Sequence, residues 1–496
     1  MWLEVSWGAF FLLLYSILIL TICVRLLSQK RSVGVIFAWL VLLFAFPGFG
    51  VIAYLLIGEP KLGGERGTRK GEMLSFYREF SQNHLPDLNI HHATQLEAKQ
   101  TGLSLLASRL SGFVPTNGNQ MRLLNTTDSI LDCMINDINH AQDSCLLEFY
   151  ILEPVGRIEH LLKALIAASE RGVTCKILVD DVGSHSFLKT SWIDILKQSG
   201  IPVVAALSVG IIKTWFVRSD LRNHRKLLIV DNQIGYTGSF NLVDPALFKQ
   251  DSGVGQWVDL MMRCQGPVVE AMSAVFYADW AVENEGNLRE VQDTILSYSQ
   301  DEHKAKFLST AATGNIPAQL IPSEPDETHH VIYETIICAI HAATERIIIT
   351  TPYFVPDESL LLALRTAAMR GVDVTIIMPR KIDSLLVRYA TRAYYDILLR
   401  DGVKLALFDG GLLHAKTLVV DNDYAIFGTV NMDMRSFFLN LEVSLAIYDA
   451  TTVNQLVQQQ DEYLMQSEYI TQERWLQRPT LKVLFENIVR LFSPLL

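Results

Sequence analysis

One stretch of this chain is written twice. Asn223–Asp231 reads N-H-R-K-L-L-I-V-D and Leu413–Asp421 reads L-H-A-K-T-L-V-V-D, so His224, Lys226 and Asp231 recur as His414, Lys416 and Asp421 at one spacing. After the same interval each copy is followed by a small tetrad, Gly238-Ser239-Phe240-Asn241 and Gly428-Thr429-Val430-Asn431. A single H-x-K-x4-D would arise by chance in roughly a few per cent of chains this long. Two copies with matching tetrads would not. A lone strand histidine is more often a packed core residue than a catalyst, but duplication of the whole constellation reverses that expectation and marks a site.

The text around the motif is duplicated too. Cys145–Ile151 reads as a strand, apolar except for Glu148. Ile158–Arg171 has helical spacing and stops at Gly172, and Val173–Val179 is again strand-like. Later, Arg346–Phe354, Glu358–Arg370 and Val372–Met378 repeat the pattern, with Arg171-Gly172-Val173 and Arg370-Gly371-Val372 in the same place. A repeat this long is two fused, similar α/β domains rather than a solenoid. Within each copy, Leu227–Val230 and Leu418–Val420 end in Asp-Asn and are followed by second strands at Ile234–Thr237 and Tyr424–Phe427. His and Lys two apart on one strand would share a face and aim at one phosphate.

The N-terminus is of another kind. Val5–Val24 and Ser32–Gly58 are uncharged, each long enough to cross about 30 Å of hydrocarbon as a helix. Glu4 precedes the first run where a signal peptide would carry basic residues, so a transmembrane hairpin is expected, with helices at about 5–24 and 33–57 and a break at Pro47-Gly48. Basic residues flank both ends (Arg25, Lys30 and Arg31; Lys61, Arg66, Arg69 and Lys70), so the membrane face stays open. Residues 59–111 read as a linker with some amphipathic helix, 112–300 and 301–475 as the two domains, and 476–496 as a C-terminal amphipathic helix. That helix, with Leu484, Phe485, Ile488, Leu491 and Phe492 on one face, either docks on the domain or lies on the bilayer. The net charge of −11 disfavours nucleic acid. The six cysteines show no metal-ligand spacing, so no metal site and no disulfide framework are expected.

A doubled His/Lys/Asn set suits displacement at a phosphodiester without a metal. One imidazole attacks phosphorus and the second protonates the departing alkoxide. Lys226 and Lys416 stabilise the phosphoryl oxygens, and Asn241 and Asn431 donate to them, with Ser239 and Thr429 nearby as further phosphate-binding candidates. Duplication follows, because nucleophile and acid approach phosphorus from opposite sides. Each imidazole needs a carboxylate to set its tautomer, and Asp259 and Glu442 stand downstream of the tetrads. Asp231 and Asp421, at strand ends, are expected to bond the backbone or the lysines instead.

Over residues 112–475 the pattern resembles the phospholipase D superfamily, whose signature is H-x-K-x4-D followed by G-[GST]-x-N, twice per active site. The N-terminal hairpin, Arg222–Lys226, Thr351–Asp357 and Leu491–Leu496 look like the bacterial cardiolipin synthases. That resemblance implies a phosphatidyltransferase of the bacterial cytoplasmic membrane, multi-pass. It would move a phosphatidyl group from one phosphatidylglycerol to another, releasing glycerol, through a phosphohistidine on His224 with His414 as general acid. Its catalytic motif residues would be His224, Lys226, Asp231, His414, Lys416 and Asp421. No cofactor is implied, Mg²⁺ included. The nearest rival is a membrane-bound phospholipase D hydrolase using the same residues, since only the acceptor differs.

Overall fold

A computed structural model describes residues 7–28, 33–46, 48–58, 96–208, 220–284, 312–325 and 329–491, with a few isolated positions besides. Lys30 and Arg31, nearly all of the expected linker up to residue 95, and most of the terminal run 492–496 lie outside the described residues. The chain divides into two compact units, one built on the N-terminal helices and one containing the duplicated domains.

In the first unit, Trp7–Ser28 forms a single helix, long and apolar enough to cross a membrane. The second apolar run is two helices, Val33–Ala45 and Phe49–Ile57, each below spanning length on its own. The interruption falls where Pro47-Gly48 predicts it. Gly48 takes φ 83°, and its N–H donates to the Tyr15 hydroxyl of the first helix at 2.8 Å. A backbone group freed by the break thus finds a partner inside the unit.

The second unit is built on one 16-stranded sheet. Its first half contributes β1 (Thr116–Leu124), β2 (Ser144–Phe149), β3 (Thr174–Asp180), β4 (Val203–Ala206), β5 (Arg222–Asn223), β6 (Lys226–Val230), β7 (Ile234–Gly238) and β9 (Met261–Gln265). The two-residue strand β8 (Trp257–Val258) lies between β7 and β9 in sequence. The second half contributes β10 (Ile316–Ser323), β11 (Arg346–Thr350), β13 (Asp373–Pro379), β14 (Lys404–Phe408), β16 (Thr417–Val420), β17 (Tyr424–Gly428), β19 (Asn440–Ile447) and β20 (Ser467–Tyr469). The short strands β12 (Phe354–Val355), β15 (Leu412–Leu413) and β18 (Met432–Asp433) complete it.

Spatial order runs β4-β3-β2-β6-β7-β9-β1-β10-β19-β17-β16-β11-β13-β14-β20. Read outward from the antiparallel β1–β10 seam, the order of one half repeats in the other, which is the sequence repeat made visible. β2, β3 and β4 pair in parallel, as do β11, β13 and β14, through right-sized helical crossovers such as Arg157–Glu170 and Glu358–Met369.

Alternating residues of these strands feed different cores. Leu147, Leu228 and Val230 pack under the first half's outer helices, and Ile349, Leu418 and Val420 under the second's. Leu146, Leu227, Ile348 and Val419 face a core common to both halves. Helix Val268–Glu283 is buried almost all round in that shared core, which explains why its sequence is apolar without a polar face. Part of the expected linker belongs to the same unit. Ala98–Ser111 is a capped helix packed near Val331–Ala342, with Lys99 bonded to Asp421 and Asp423.

Candidate active site

The motif strands differ from expectation at their most important residue. His224 lies between β5 and β6, and His414 between β15 and β16, so neither histidine is inside a ladder of its own half. Each instead bonds to the opposite half. β5 pairs in parallel with β19, and the His224 N–H donates to Leu441 O at 2.9 Å. β15 pairs with β8, and the His414 N–H donates to Val258 O at 2.8 Å. The acceptors are the residues directly before Glu442 and Asp259.

That register delivers the carboxylates. His224 Nδ1 lies 3.0 Å from both carboxylate oxygens of Glu442, and His414 Nδ1 lies 2.7 Å from Asp259 Oδ1. Both orienting residues expected from sequence are therefore in place, but crossed: each half's histidine is held by the other half's acid. With a carboxylate as acceptor, Nδ1 carries the proton, and Nε2 is left as the basic, reactive nitrogen.

Ser239 and Thr429 stand behind these acids rather than at a phosphate. Ser239 Oγ donates to Asp259 Oδ1 at 2.6 Å and accepts from Leu260 N–H at 2.9 Å. Thr429 Oγ1 donates to Glu442 Oε2 and accepts from Val443 N–H at 2.9 Å. Their hydroxyl protons are directed at the carboxylates. The tetrad glycines make this possible, because a Cβ at Gly238 would come 2.4 Å from Leu260 O, and one at Gly428 2.4 Å from Val443 O. Asn241 and Asn431 are buried; Asn241 Oδ1 accepts from Ile151 N–H, and Asn431 Oδ1 has no partner among the described residues.

Asp231 and Asp421 are not at the imidazoles. Asp231 is five strand residues beyond Lys226, roughly 17 Å along the chain at strand rise. Its carboxylate accepts from the backbone N–H groups of Gln142, Asp143 and Ser144, and Asp421 from those of Thr344, Glu345 and Arg346. Asp-Asn in both copies takes positive φ at consecutive residues (54° and 52°; 51° and 60°), the twisted turn that closes a tight hairpin. The motif aspartates are turn formers that pin the start of β2 and β11. The backbone bonding expected for them is observed; the lysine at Asp421 is Lys99, not the motif lysine.

Both motif lysines are fully buried. Lys226 Nζ donates to His224 O at 2.8 Å and Lys416 Nζ to His414 O at 2.5 Å, leaving further N–H bonds for a ligand. Burial drives Lys226 down to about 8 and, with Lys226 nearby, Lys416 down to about 7. Burial likewise drives both histidines down to about 4, against the pull of their carboxylates. Asp259 is lowered although burial opposes it, because His414 and Lys416 face it. Two buried ammoniums are balanced by the Asp259 and Glu442 carboxylates, yet both lysines stay depressed, so a phosphodiester oxygen placed beside them would favour their charged forms.

The two halves differ beneath the histidines. Under His224 lies a charged cluster. Arg225, 1 % exposed, pairs with Asp279, donates to Glu442 O at 3.1 Å and donates to Ser323 O at 3.2 Å. Asn223 Nδ2 donates to Glu148 Oε1 at 2.7 Å. Burial and the Asp279 charge hold the Glu148 carboxyl well above the usual range, leaving Arg225–Asp279 as the ionised pair. Under His414 the corresponding positions are neutral: Ala415 in the motif, Thr350 on β11, and Gln460 bonded to Thr417 and Thr350. Sequence reasoning missed Arg225 and Asp279. The signal was a lone glutamate in the apolar run of β2, which needs a buried partner. It also missed two rings, Tyr150 at 5.0 Å from the His224 ring and Trp257 at 4.3 Å from that of His414.

Known proteins resemble this chain over nearly its whole length. The family described as "Cardiolipin synthase, PLD-like domain" matches residues 134–280 and again 336–464, and "Phospholipase_D-nuclease N-terminal" matches 13–59. The chain is 39% identical to cardiolipin synthase A of Cronobacter sakazakii over 492 residues, covering 99% of both chains. It is 40% identical to cardiolipin synthase A of Klebsiella pneumoniae over 482 residues, covering 97% of both. The solved structure of a phosphatidylserine synthase from Haemophilus influenzae superposes with TM-score 0.59 at 14% identity, covering 80% of this chain and all of that one, and so shares the fold.

Proposed function

This chain belongs to the cardiolipin synthase family of phospholipase D-like proteins, and from that premise we propose that it joins two phosphatidylglycerols into cardiolipin, releasing glycerol. The observation that supports this most is the pair of imidazoles, each fixed through Nδ1 by an acid of the opposite half, around two buried lysines. His224 Nε2 attacks the phosphorus of the first lipid, and the bond to the glycerol headgroup oxygen breaks. His414 must enter this step protonated at Nε2 as well, an imidazolium favoured by Asp259 and by the bound phosphodiester's charge, and it gives that Nε2 proton to the departing glycerol oxygen. A hydroxyl of the second lipid's headgroup then gives its proton back to His414 and attacks the phosphohistidine, and the P–N bond breaks. Lys226, Lys416, Asn241 and Asn431 hold the phosphoryl oxygens throughout.

The enzyme is a membrane-associated phosphatidyltransferase that acts on phospholipids. We place it in the bacterial cytoplasmic membrane, with the two N-terminal apolar runs as a multi-pass anchor. Phosphatidylglycerol labelled in its headgroup glycerol should yield cardiolipin with one label in its bridging glycerol and one label released as free glycerol, in equal amounts. Phosphatidic acid as the sole lipid product would instead make the chain a hydrolase.

The depressed lysines give a second test. A bound phosphodiester favours the charged ammonium, so it raises the pKa of Lys416 from about 7 and of Lys226 from about 8. Above pH 7, binding of a non-cleavable phosphonate analogue should therefore take up protons, and the uptake should fade as the pH drops below 7, where Lys416 is already charged. Calorimetry in two buffers of different ionisation enthalpy reads this directly. Proton release on binding would contradict the assignment.

A further inference from the structure

The C-terminal helix Thr480–Arg490 is seated with its glutamate inward and its leucines outward. Glu486 is fully buried, held by Arg392 Nε at 2.7 Å and by Arg478, whose guanidinium lies 3.6 Å above the Trp475 ring. Leu481 and Leu491 are 81% and 75% exposed, and Leu484, Phe485 and Ile488 about half exposed. The apolar arc that the sequence leaves open between packing on the domain and lying on a bilayer is uncovered. The neighbouring helix Leu385–Arg392 extends it: Leu385 and Leu386 are exposed, and Tyr389 packs edge-on against Phe485 at 4.9 Å. Water alone would have selected the opposite orientation.

The charge around this face is as unusual as its hydrophobicity. The whole chain is acidic, at −11. Yet Arg388, Lys482 and Arg490 are exposed on these two helices, and their one acid, Glu486, is buried and neutralised. The face is also tied to the chemistry. Helix Leu385–Arg392 packs on β12, and β12 pairs with β18, which begins directly after Asn431.

We propose that this two-helix face is a docking surface for an anionic lipid bilayer, with Leu481, Leu484, Phe485, Ile488 and Leu491 at the boundary of headgroups and acyl chains. Arg388, Lys482 and Arg490 meet the lipid phosphates. The choice of a bilayer as occupant rests on the lipid-substrate reading above. The surface serves to set the duplicated domains at headgroup depth, where a phosphodiester is presented.

Two measurements on the full chain in vesicles of phosphatidylglycerol and phosphatidylethanolamine test this. A bimane label on Ile488→Cys, compared with the unsubstituted chain labelled in parallel, should be quenched at least about two-fold by brominated acyl chains. No extra quenching overturns the proposal. Leu484→Glu combined with Ile488→Glu should lower turnover of bilayer substrate about ten-fold, through KM, while turnover of short-chain monomeric phosphatidylglycerol stays within about two-fold. Equal losses on both substrates, or a change of oligomeric state in place of the KM effect, would assign the face to internal packing or to a second copy. The quenching needs no catalysis, so a chain that proves to be a hydrolase would still show it.

Discussion

His224→Ala is expected to reduce phosphatidyl transfer by at least about 10⁴-fold, because it removes the atom that bonds to phosphorus rather than one that assists. The fold should survive, since Glu442 keeps its bonds from Thr429 and Asn440. His414→Ala should lose activity comparably on phosphatidylglycerol, for a different reason: glycerol is a poor leaving group without a proton. The two are separated by a substrate carrying p-nitrophenol in place of glycerol. That leaving group needs no acid, so it should restore phosphohistidine formation in His414→Ala and not in His224→Ala. Restoration in the opposite variant would exchange their roles. Asp259→Asn, though it lies in the first half, should behave like a weakened His414, with a loss of about 10²–10⁴-fold. A local reading of each half would predict damage to His224 instead.

The largest effect on stability is expected at Arg225. Arg225→Met removes the cation from a cluster in which Asp279 is 3% exposed and Glu148 fully buried, leaving a carboxylate with no countercharge. Breaking a buried pair from one side costs about 3–5 kcal/mol, a large part of a domain's usual margin of about 5–15 kcal/mol. The guanidinium also holds Glu442 O, so surviving protein should show a reduced kcat. Combining Arg225→Met with Asp279→Asn should recover most of the lost stability, read as the urea midpoint, because the unpaired charge is gone. A double variant no more stable than the single one would show that the cost lies in packing. The same pair placed under His414, where Ala415 and Gln460 stand, has no counterpart to lose.

Much of this was legible in the sequence because it is written twice. The repeat of strand, helix, Arg-Gly-Val and strand predicts two fused α/β halves, and the sheet order repeats about β1 and β10 as that requires. Asp259 and Glu442 were legible as orienting acids, since an imidazole in a dry site needs one. What stayed hidden was which histidine each would hold. Spacing within a half says nothing about a bond of 2.7 Å to the other half. Nor does spacing show that the Ser239 and Thr429 hydroxyls donate to these acids, because a hydroxyl beside a candidate phosphate site reads first as a ligand. The break in the second apolar run was legible as Pro47-Gly48, and the chain interrupts the helix there, with Gly48 at φ 83° heading the second segment.

The crossing of the acids also bears on how such a chain can change over generations. After most duplications one copy is free to decay while the other carries on, but here each copy maintains its sibling's histidine. A lesion at Ser239 is felt at His414, and one at Thr429 at His224, so there is no spare. Selection therefore acts on the two copies as a single inheritance. The differences it has tolerated, such as arginine in one motif and alanine in the other, lie beneath the shared chemistry rather than in it.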